Sequence, residues 1–254
     1  MNDAGPEWAY RPQTEAMTSS LRLARAEATL ENLNTILRLI SEAREYLEGK
    51  GTDQWSKPYP TEAERDARVW RGLMREATWI VWAGQKAAAT VTVARKPNTA
   101  VWQGAICNLD EPAVYAHRLI IDRQFAGEGL GADLIDWTGV YGHREWGAKW
   151  IRIDVWTTNK GLHDFYMKKL FDPCGTAADP GYPSGKLFQK SVSDIPESFS
   201  PPFTESEPVR GPLSEDAPGH PQIGSAQRSA QDVPRFLAML DTILAGGPTV
   251  PVGG

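Results

Sequence analysis

The sequence predicts one α/β domain that contains helices and antiparallel strands, and three observations lead to this fold class. All ten tryptophans lie between Trp8 and Trp156, whereas 13 of the 19 prolines lie from Pro173 onward. The 254 residues therefore form one well-cored region and a poorly cored tail rather than two equal domains. A hairpin pattern near residue 84 indicates antiparallel strands, and a strand–glycine turn–helix–strand pattern over 114–156 indicates helices packed on the sheet.

Four segments follow from this division of the chain. We expect an N-terminal arm over 1–18, a folded domain over 19–192, a linker over 193–231 and an amphipathic helix over 232–246. The linker is rich in Pro, Ser and Glu and is predicted to be disordered, because it has too few apolar residues to form a core. The terminal helix carries an apolar stripe over Val233–Leu244, which is expected to dock on its own domain or on a second subunit of a homodimer.

Composition excludes several classes of protein. The net charge is −5 and no long Lys/Arg run occurs, which argues against a nucleic-acid partner. No stretch of about 18 apolar residues is present and the first residues lack an apolar signal core, so we expect no membrane segment. Cys107 and Cys174 do not make a disulfide framework, and the four histidines lack metal-ligand spacing. The sequence therefore predicts a reduced, cytoplasmic protein without a metal.

The first third of the chain is predicted to form a strand and two helices. Ser20–Ala26 alternates weakly as a strand, and Thr29–Leu47 has apolar residues at three- and four-residue steps, as an amphipathic helix requires. A loop over 52–60 contains two prolines. Thr61 and Glu64 then form a capping box, which predicts a helix over Thr61–Ala77.

The pattern then changes to the two-residue period of strands. Thr78–Ala83 and Ala88–Ala94 flank a hairpin turn at Gly84, and Val114–Ile121 and Trp150–Trp156 also alternate as strands. Two helices over 128–146 and 162–171 and a last antiparallel strand over Lys186–Val192 complete the domain.

A glycine turn at the start of one helix is the strongest indication of a ligand. Gly127, Gly129 and Gly131 have no Cβ atoms, so their N–H groups can surround an anion beside the positive end of the helix dipole. The same three glycines are equally compatible with a tight strand-to-helix turn that binds no ligand. Gly127-x-Gly129-x-x-Ala132 with Asp154 also fits a loose dinucleotide fingerprint, but too few βαβ units follow. A P-loop is excluded because no Gly-Lys-Ser/Thr occurs.

The segments IIDRQFAGEGLGADLI and WIRIDVWTTNKGLHDFYMKKLF resemble the GNAT superfamily of acyl-CoA-dependent N-acetyltransferases. That family has Arg/Gln-x-x-Gly-x-Gly/Ala at a helix start, followed by a strand that leads to an Asn and an aromatic–Tyr pair. Here the last two features are Asn159 and Phe165–Tyr166, whereas Ala126 stands at the Arg/Gln position. The resemblance covers residues 20–192 in element order and is specific over 114–171.

The resemblance implies a central mixed, mostly antiparallel sheet that is flanked by helices and whose parallel strands 4 and 5 splay. It also implies that acetyl-CoA is the acyl donor. Pantetheine would lie in the gap and pair with the backbone near Ile120, Ile121 and Arg123. Asn159 would bind the pantetheine arm, and the Tyr166 hydroxyl would protonate the leaving thiolate. The pyrophosphate would contact the loop residues Ala126, Gly127, Glu128, Gly129, Leu130, Gly131 and Ala132.

The acceptor amine needs a base, and His117 is the best candidate in the sequence. It alternates with Tyr115, Leu119 and Ile121 on one strand face, although a histidine hydrogen-bonded within the core fits equally well. The resemblance implies that the loop between the first two helices covers the acceptor, so the acceptor is expected to contact Asp53, Trp55 and Tyr59 of this loop, and also Tyr115. For Trp55, simple packing of the loop is an equally good interpretation.

These residues predict a GNAT-type N-acyltransferase that transfers an acetyl group from acetyl-CoA to the primary amine of a small molecule, by direct attack in a ternary complex. Two alternatives stay open. One is an acyltransferase whose donor is longer or bound to a carrier protein. The other is a non-catalytic acyl-CoA-binding regulatory module, which would tolerate the loss of Tyr166 and His117.

Overall fold

The computed structural model describes residues 20–56 and 58–206, which form one eight-stranded mixed sheet with helices on both faces. The order of the strands is β6-β7-β5-β4-β3-β2-β1-β8. The predicted arm over 1–18 and the predicted helix over 232–246 lie outside the described residues. The strands are β1 (Leu21–Arg25), β2 (Thr78–Ala83), β3 (Lys86–Ala94), β4 (Ala113–Ile121), β5 (Trp150–Val155), β6 (Asp172–Thr176), β7 (Lys186–Ser191) and β8 (Phe203–Ser206).

Five helices connect these strands, and the sequence pattern predicted four of them. Thr29 and Thr61 cap the first two helices, each accepting a hydrogen bond from a backbone N–H of the first turn, as the capping-box pattern predicts at Thr61. None of these helices is both long and apolar enough to cross a membrane. The helices are α1 (Leu30–Glu48), α2 (Glu62–Met74), α3 (Thr99–Trp102), α4 (Leu130–Trp146) and α5 (Lys160–Lys168).

The pairing of the strands confirms the predicted mostly antiparallel sheet with parallel strands 4 and 5. Strands β1 to β4 pair antiparallel in succession, and β4 pairs parallel with β5. Strand β7 then pairs antiparallel with both β5 and β6. The long connection from β4 to β5 runs through α4, since parallel neighbours need a crossover.

Two strands were not predicted, and one of them lies in the predicted linker. Strand β8 pairs parallel with β1, so the segment 193–206 is folded rather than disordered. Phe203 on β8 is 5% exposed and contacts the Trp137 ring at 6.4 Å between centroids. One buried aromatic in a proline-rich context is too weak a pattern to predict a strand of four residues. Strand β6 was missed because Pro173 and Gly175 interrupt its alternation.

Helix α4 covers one face of the sheet, and α1 and α2 cover the other. Gly139 and Gly142 bring α4 close to the sheet: a Cβ atom at these positions would lie 2.6 Å from Ile151 Cδ1 and from Val114 Cβ, respectively. On the other face, Leu33, Ile36 and Leu73 of the first two helices share a core cluster with Ile120 of β4. Strand β4 is therefore held from both faces at the centre of the sheet.

The structure joins Cys107 and Cys174 by a disulfide, at a sequence separation of 67. The sequence analysis did not predict this pair, because two isolated cysteines carry no spacing pattern. The bond connects the segment before β4 with strand β6. The expectation of a reducing, cytoplasmic compartment relied on unpaired cysteines, so it loses this support.

Candidate active site

The central gap in the sheet lies where β4 and β5 separate. The two strands pair from Ala113 with Trp150 to Ala116 with Ile153, and no further pair joins them. Both strands nevertheless continue, β4 to Ile121 and β5 to Val155. The backbone of the second half of β4 is therefore unpaired on the side of β5. This confirms the predicted splay and provides a slot for an extended ligand.

A β-bulge in β4 sets the orientation of the side chains at this gap. One residue of β3, Val91, faces two residues of β4, Arg118 and Leu119. Arg118 has a φ of +50°, in the left-handed region that favours glycine. A bulge places an extra residue in one strand and re-aims the side chains that follow it. Such bulges occur often beside active sites.

The bulge makes one prediction about β4 wrong. Leu119 and Ile121 pack in the core cluster on the α4 side, whereas Tyr115 belongs to a different cluster. They therefore do not share one face with Tyr115 and His117, as strict alternation predicted. Sequence periodicity cannot reveal this shift, because the bulge depends on the pairing of β4 with β3.

His117 and Asp154 face each other across the gap. Nδ1 of His117 lies 2.9 Å from Oδ1 of Asp154, and the hydroxyl of Tyr182 donates a hydrogen bond of 2.8 Å to Oδ2. The His117 side chain is 24% exposed and that of Asp154 8%. With Nδ1 directed to the carboxylate, Nε2 is the nitrogen that can act as a base, and it makes no hydrogen bond to the described residues 20–56 and 58–206.

The charge of Asp154 is stabilised by its neighbours. Burial alone would raise the pKa of this carboxyl, but His117, the Tyr182 hydroxyl and the charge of Arg118 together lower it below the usual value. Asp154 in turn raises the pKa of Tyr182, adding to the effect of burial. The carboxylate therefore stays ionised at neutral pH and can orient the imidazole.

Tyr166 projects from α5 as a buried phenol. Its ring contacts those of Phe165 and Phe171, each at 5.3 Å between centroids. Its hydroxyl makes no hydrogen bond within the described part of the chain, although the residue is only 7% exposed. Burial, followed by the negative charge of Asp154, raises the pKa of Tyr166 above its usual value. The phenol therefore keeps its proton at neutral pH.

The glycine turn lies between the end of β4 and α4. Gly127 and Gly129 have φ values of +98° and +86°, and helix α4 begins directly after Gly129. The N–H groups from Gly127 to Gly131 donate to no acceptor among the described residues. A Cβ atom at Gly127 would meet no atom within 4 Å, so the outer side of the turn is open. The turn fits a phosphate group by its backbone.

Other residues predicted to contact the donor surround this turn. Ala126 follows a 3₁₀ turn over Arg123–Phe125 and offers no charged side chain to a phosphate. The guanidinium of Arg123 lies 3.6 Å from the centre of the Tyr46 ring of α1. Glu128 is exposed and Ala132 half-buried, while Leu130 is buried in the core. Ile120 and Ile121 lie on the unpaired half of β4.

Asn159 caps helix α5 and contacts the loop between α1 and α2. Its Oδ1 accepts a 3.0 Å hydrogen bond from the N–H of Leu162, and its Nδ2 donates to Oε1 of Gln54 at 2.6 Å. The side chain that was predicted to bind pantetheine is therefore engaged within the protein. Its structural role is to join α5 to this loop.

Two of the loop residues predicted to contact the acceptor, Asp53 and Trp55, instead interact with other residues of the protein. Oδ1 of Asp53 accepts hydrogen bonds from Trp156 Nε1, at 3.0 Å, and from Thr158. These bonds lower the pKa of Asp53. Trp55 packs against the core cluster between α1 and α2, as the alternative interpretation of this residue has it. The loop is thereby fixed over the end of β5.

Tyr59 lies near the pair of His117 and Asp154, whereas Tyr115 does not line the site. The Tyr59 hydroxyl donates to Asp179 at 2.8 Å, and its ring contacts Tyr182 edge-on at 5.8 Å between centroids. Tyr115 is only 2% exposed, and its hydroxyl accepts a 3.0 Å hydrogen bond from buried Arg152. The prediction that Tyr115 contacts the acceptor is corrected: its ring packs in the core.

Two residues of the site were not identified from the sequence. Asp154 was considered only as part of a dinucleotide fingerprint, and Tyr182 was not considered. An acidic residue within the apolar strand WIRIDVW is an unusual feature that could have identified Asp154 as functional. Tyr182 lies in a loop without a motif, so only its contact with Asp154 reveals it. Within the described residues, no group of three or more His, Cys, Asp or Glu could hold a metal ion.

Comparisons with known proteins agree with this geometry. The model of the acetyltransferase (GNAT) family matches residues 42–171, just over half of the chain. The uncharacterized N-acetyltransferase YesJ of Bacillus subtilis (strain 168) is 28% identical over 170 residues, covering 65% of this chain and 88% of that protein.

Solved structures of low sequence identity share the fold. A GNAT family acetyltransferase from Streptococcus agalactiae 2603 has a TM-score of 0.53 at 22% identity, covering 67% of this chain and 95% of that chain. The loading GNATL domain of CurA from Lyngbya majuscula has a TM-score of 0.50 at 14% identity, covering 68% and 98%. With the splayed strands and the glycine turn, these matches lead to one conclusion: the chain belongs to the acetyltransferase (GNAT) family.

Proposed function

We propose that the protein transfers an acetyl group from acetyl-CoA to the primary amine of a small molecule, by direct attack in a ternary complex. The observation that carries this proposal is the pair of His117 and Asp154 at the gap between β4 and β5, with the unpartnered hydroxyl of Tyr166 on α5. A base, its orienting carboxylate and a protonated phenol are the groups that aminolysis of a thioester needs.

The donor is held by backbone groups in this proposal. The free N–H groups from Gly127 to Gly131 would bind the pyrophosphate of acetyl-CoA, assisted by the dipole of α4. The unpaired backbone of β4 near Ile120 would accommodate the pantetheine arm. When bound, acetyl-CoA supplies an acyl group activated as a thioester.

His117 would act as the general base. An amine with a pKa of about 10.4 is roughly one part in 2,500 neutral at pH 7, which corresponds to about 4.6 kcal/mol. Nε2 of His117, directly or through one water, would accept the proton that the nitrogen loses during attack. Asp154 holds the imidazole by Nδ1 and stabilises the imidazolium that forms.

Tyr166 would act as the general acid. As the C–N bond forms, the C–S bond breaks and its electron pair moves to sulfur, which takes the phenolic proton. The products are an amide and a free thiol, and exchange with solvent returns the proton to Tyr166 and removes one from His117. The raised pKa of Tyr166 favours this role, because the phenol is fully protonated before the reaction.

A thiol-release assay across a panel of amines tests this proposal. It measures free CoA when acetyl-CoA or a longer acyl-CoA is the donor, and the free pantetheine thiol of the carrier protein when an acylated carrier protein is the donor. We expect turnover with acetyl-CoA and micromolar binding of CoA by calorimetry. Absence of CoA binding would overturn the proposal. A strong preference for the carrier protein would favour the second candidate, to which the absence of Arg or Gln at Ala126 points. CoA binding that survives with no turnover would favour the regulatory module.

A further inference from the structure

We infer that the acceptor carries a carboxylate close to its amine and that Arg118 binds this carboxylate. The inference rests on the proposed function, because it defines the substrate class of the same site. It starts from Arg118, the residue at the bulge of β4, next in sequence to His117.

The guanidinium of Arg118 makes no direct ion pair within the described residues. Its side chain is half-buried, and it forms no hydrogen bond or ion pair with any residue over 20–56 and 58–206. Burial and the nearby charges of Arg68 and Arg71 lower its pKa to about 10, so it is still charged at neutral pH. A partly buried charge without a partner is costly, and an anionic ligand would remove this cost.

A second guanidinium adds to the positive charge. Arg68 of α2 donates a hydrogen bond to the backbone oxygen of Tyr59 and forms no ion pair within the described part of the chain. The pKa of Tyr59 is raised by its hydrogen bond to Asp179 and that of Tyr182 by burial, and the positive charge of Arg68 opposes both rises. Arg68 is therefore near enough to both hydroxyls, and to Arg118, for its charge to act on them. Arg71, by contrast, pairs with Glu64. Arg118 and Arg68 thus place two positive charges near Tyr182, and neither has a direct carboxylate partner within the described residues.

The carboxylates of this region are already engaged. Asp154 faces His117 through Oδ1 and accepts a hydrogen bond from Tyr182 through Oδ2. Asp179 accepts the hydrogen bond of the Tyr59 hydroxyl. Neither lies within ion-pair distance of Arg118 or Arg68. We therefore assign to the ligand the direct carboxylate partner that Arg118 lacks.

The positions of the base and the guanidinium limit the size of this ligand. His117 and Arg118 are consecutive, and their Cα atoms are about 3.8 Å apart across a trans peptide. Both side chains lie near Asp154, His117 through a 2.9 Å contact and Arg118 through its charge. An amine at Nε2 of His117 and an anion at Arg118 thus belong to neighbouring parts of one molecule. The planar guanidinium matches the two oxygens of a carboxylate. An amino acid is the simplest compound with this arrangement.

Matched pairs of acceptors test the inference in the full-length protein. Each L-amino acid is compared with its carboxamide in the CoA-release assay, using wild type, Arg118→Gln and Arg118→Lys. Arg144→Gln serves as the control, because Arg144 is exposed and pairs with Glu145 and Glu205. Calorimetric titration of the same compounds into the protein saturated with CoA measures binding separately from turnover.

We expect kcat/KM for the best amino acid to fall about tenfold to hundredfold in Arg118→Gln, as for loss of a charge-assisted hydrogen bond, while kcat/KM for its carboxamide changes little. Arg118→Lys should recover part of the difference, and Arg144→Gln should leave it unchanged. Equal use of acids and carboxamides by wild type overturns the inference, and so does failure of every amino acid to react or bind. Failure of the proposed function is a different result, namely no CoA binding and no turnover with amines of either kind.

Discussion

Nδ1 of His117 lies 2.9 Å from Oδ1 of Asp154, at the point where the backbones of β4 and β5 stop pairing. Ala116 and Ile153 form the last backbone pair, so His117 and Asp154 occupy the next position along the two strands. Side chains replace backbone hydrogen bonds as the connection between the strands at this position. The splay of the two strands therefore also leaves the His117 side chain partly exposed at the gap.

This relationship predicts the effect of disrupting the pair. His117→Gln should lower kcat by about 100-fold or more, because the attacking amine loses its base. Asp154→Asn should also lower kcat, because it no longer holds Nε2 as the basic nitrogen. Steady-state kinetics between pH 6 and 9 measure both effects. His143→Gln, a change on α4 where Nδ1 contacts only Ala148, is the control, and equal rates for all three variants would contradict the assignment.

Tyr166→Phe should reduce kcat by about 100-fold while the Kd for CoA changes little, since the hydroxyl is needed for proton transfer and not for binding. The free energy of unfolding of Tyr166→Phe should be nearly the same as that of wild type, because the Tyr166 hydroxyl has no hydrogen-bond partner among residues 20–56 and 58–206. Tyr141→Phe is a matched control. Tyr141 is equally buried, at 7%, but its hydroxyl accepts a bond from Arg25. This variant should lose about 1 kcal/mol of stability and retain its kcat.

The glycine turn predicts a difference between two otherwise similar substitutions. Gly129→Ala and Gly147→Ala replace glycines with φ values of +86° and +66° at the two ends of α4. Each should cost about 1–2 kcal/mol in free energy of unfolding, because L-residues disfavour this region. Only Gly129→Ala should weaken CoA binding, measured by calorimetry, because it distorts the N–H groups of the turn. Equal CoA affinity in the two variants would argue against a phosphate site there.

The lowered pKa of Asp154 predicts how stability varies with pH. Between its folded pKa and the ordinary value of about 3.9, the unfolded state binds more protons than the folded state. The stabilisation by this carboxylate is thus present above that ordinary value and is lost as pH falls through the folded pKa. Urea unfolding between pH 3 and 7 should show a smaller acid-induced loss in Asp154→Asn than in wild type. Glu197→Gln, at an exposed position, serves as the control.

The disulfide between Cys107 and Cys174 predicts a dependence of stability on reduction. It closes a long loop, so its loss should cost about 2–4 kcal/mol of unfolding free energy. Urea unfolding of wild type with and without dithiothreitol measures this difference. The double variant Cys107→Ser/Cys174→Ala should match the reduced protein and be insensitive to dithiothreitol. Identical wild-type curves with and without reductant would show that the bond contributes nothing.

Local patterns along the chain determined most of the fold. The three- and four-residue steps of α1, the capping box at Thr61 and the alternation of Trp150–Val155 each depend on neighbouring residues, so they are readable from the sequence. The glycine turn is equally local, because positive φ at Gly127 and Gly129 follows from the absence of a Cβ atom. The sequence thus identified the family, the fold class and the glycine turn at the start of α4.

Only the tertiary structure decided which side chains meet. The bulge at Arg118 arises from the pairing of β4 with β3, and it separates Leu119 from the face of Tyr115. The contact between His117 and Asp154 joins residues on two strands that approach only when the sheet assembles. Such contacts depend on packing between distant segments, which leaves no periodic trace in the chain. For this reason the sequence singled out His117 as a candidate, and the fold supplied the carboxylate of Asp154 that contacts it and the guanidinium of Arg118 beside it.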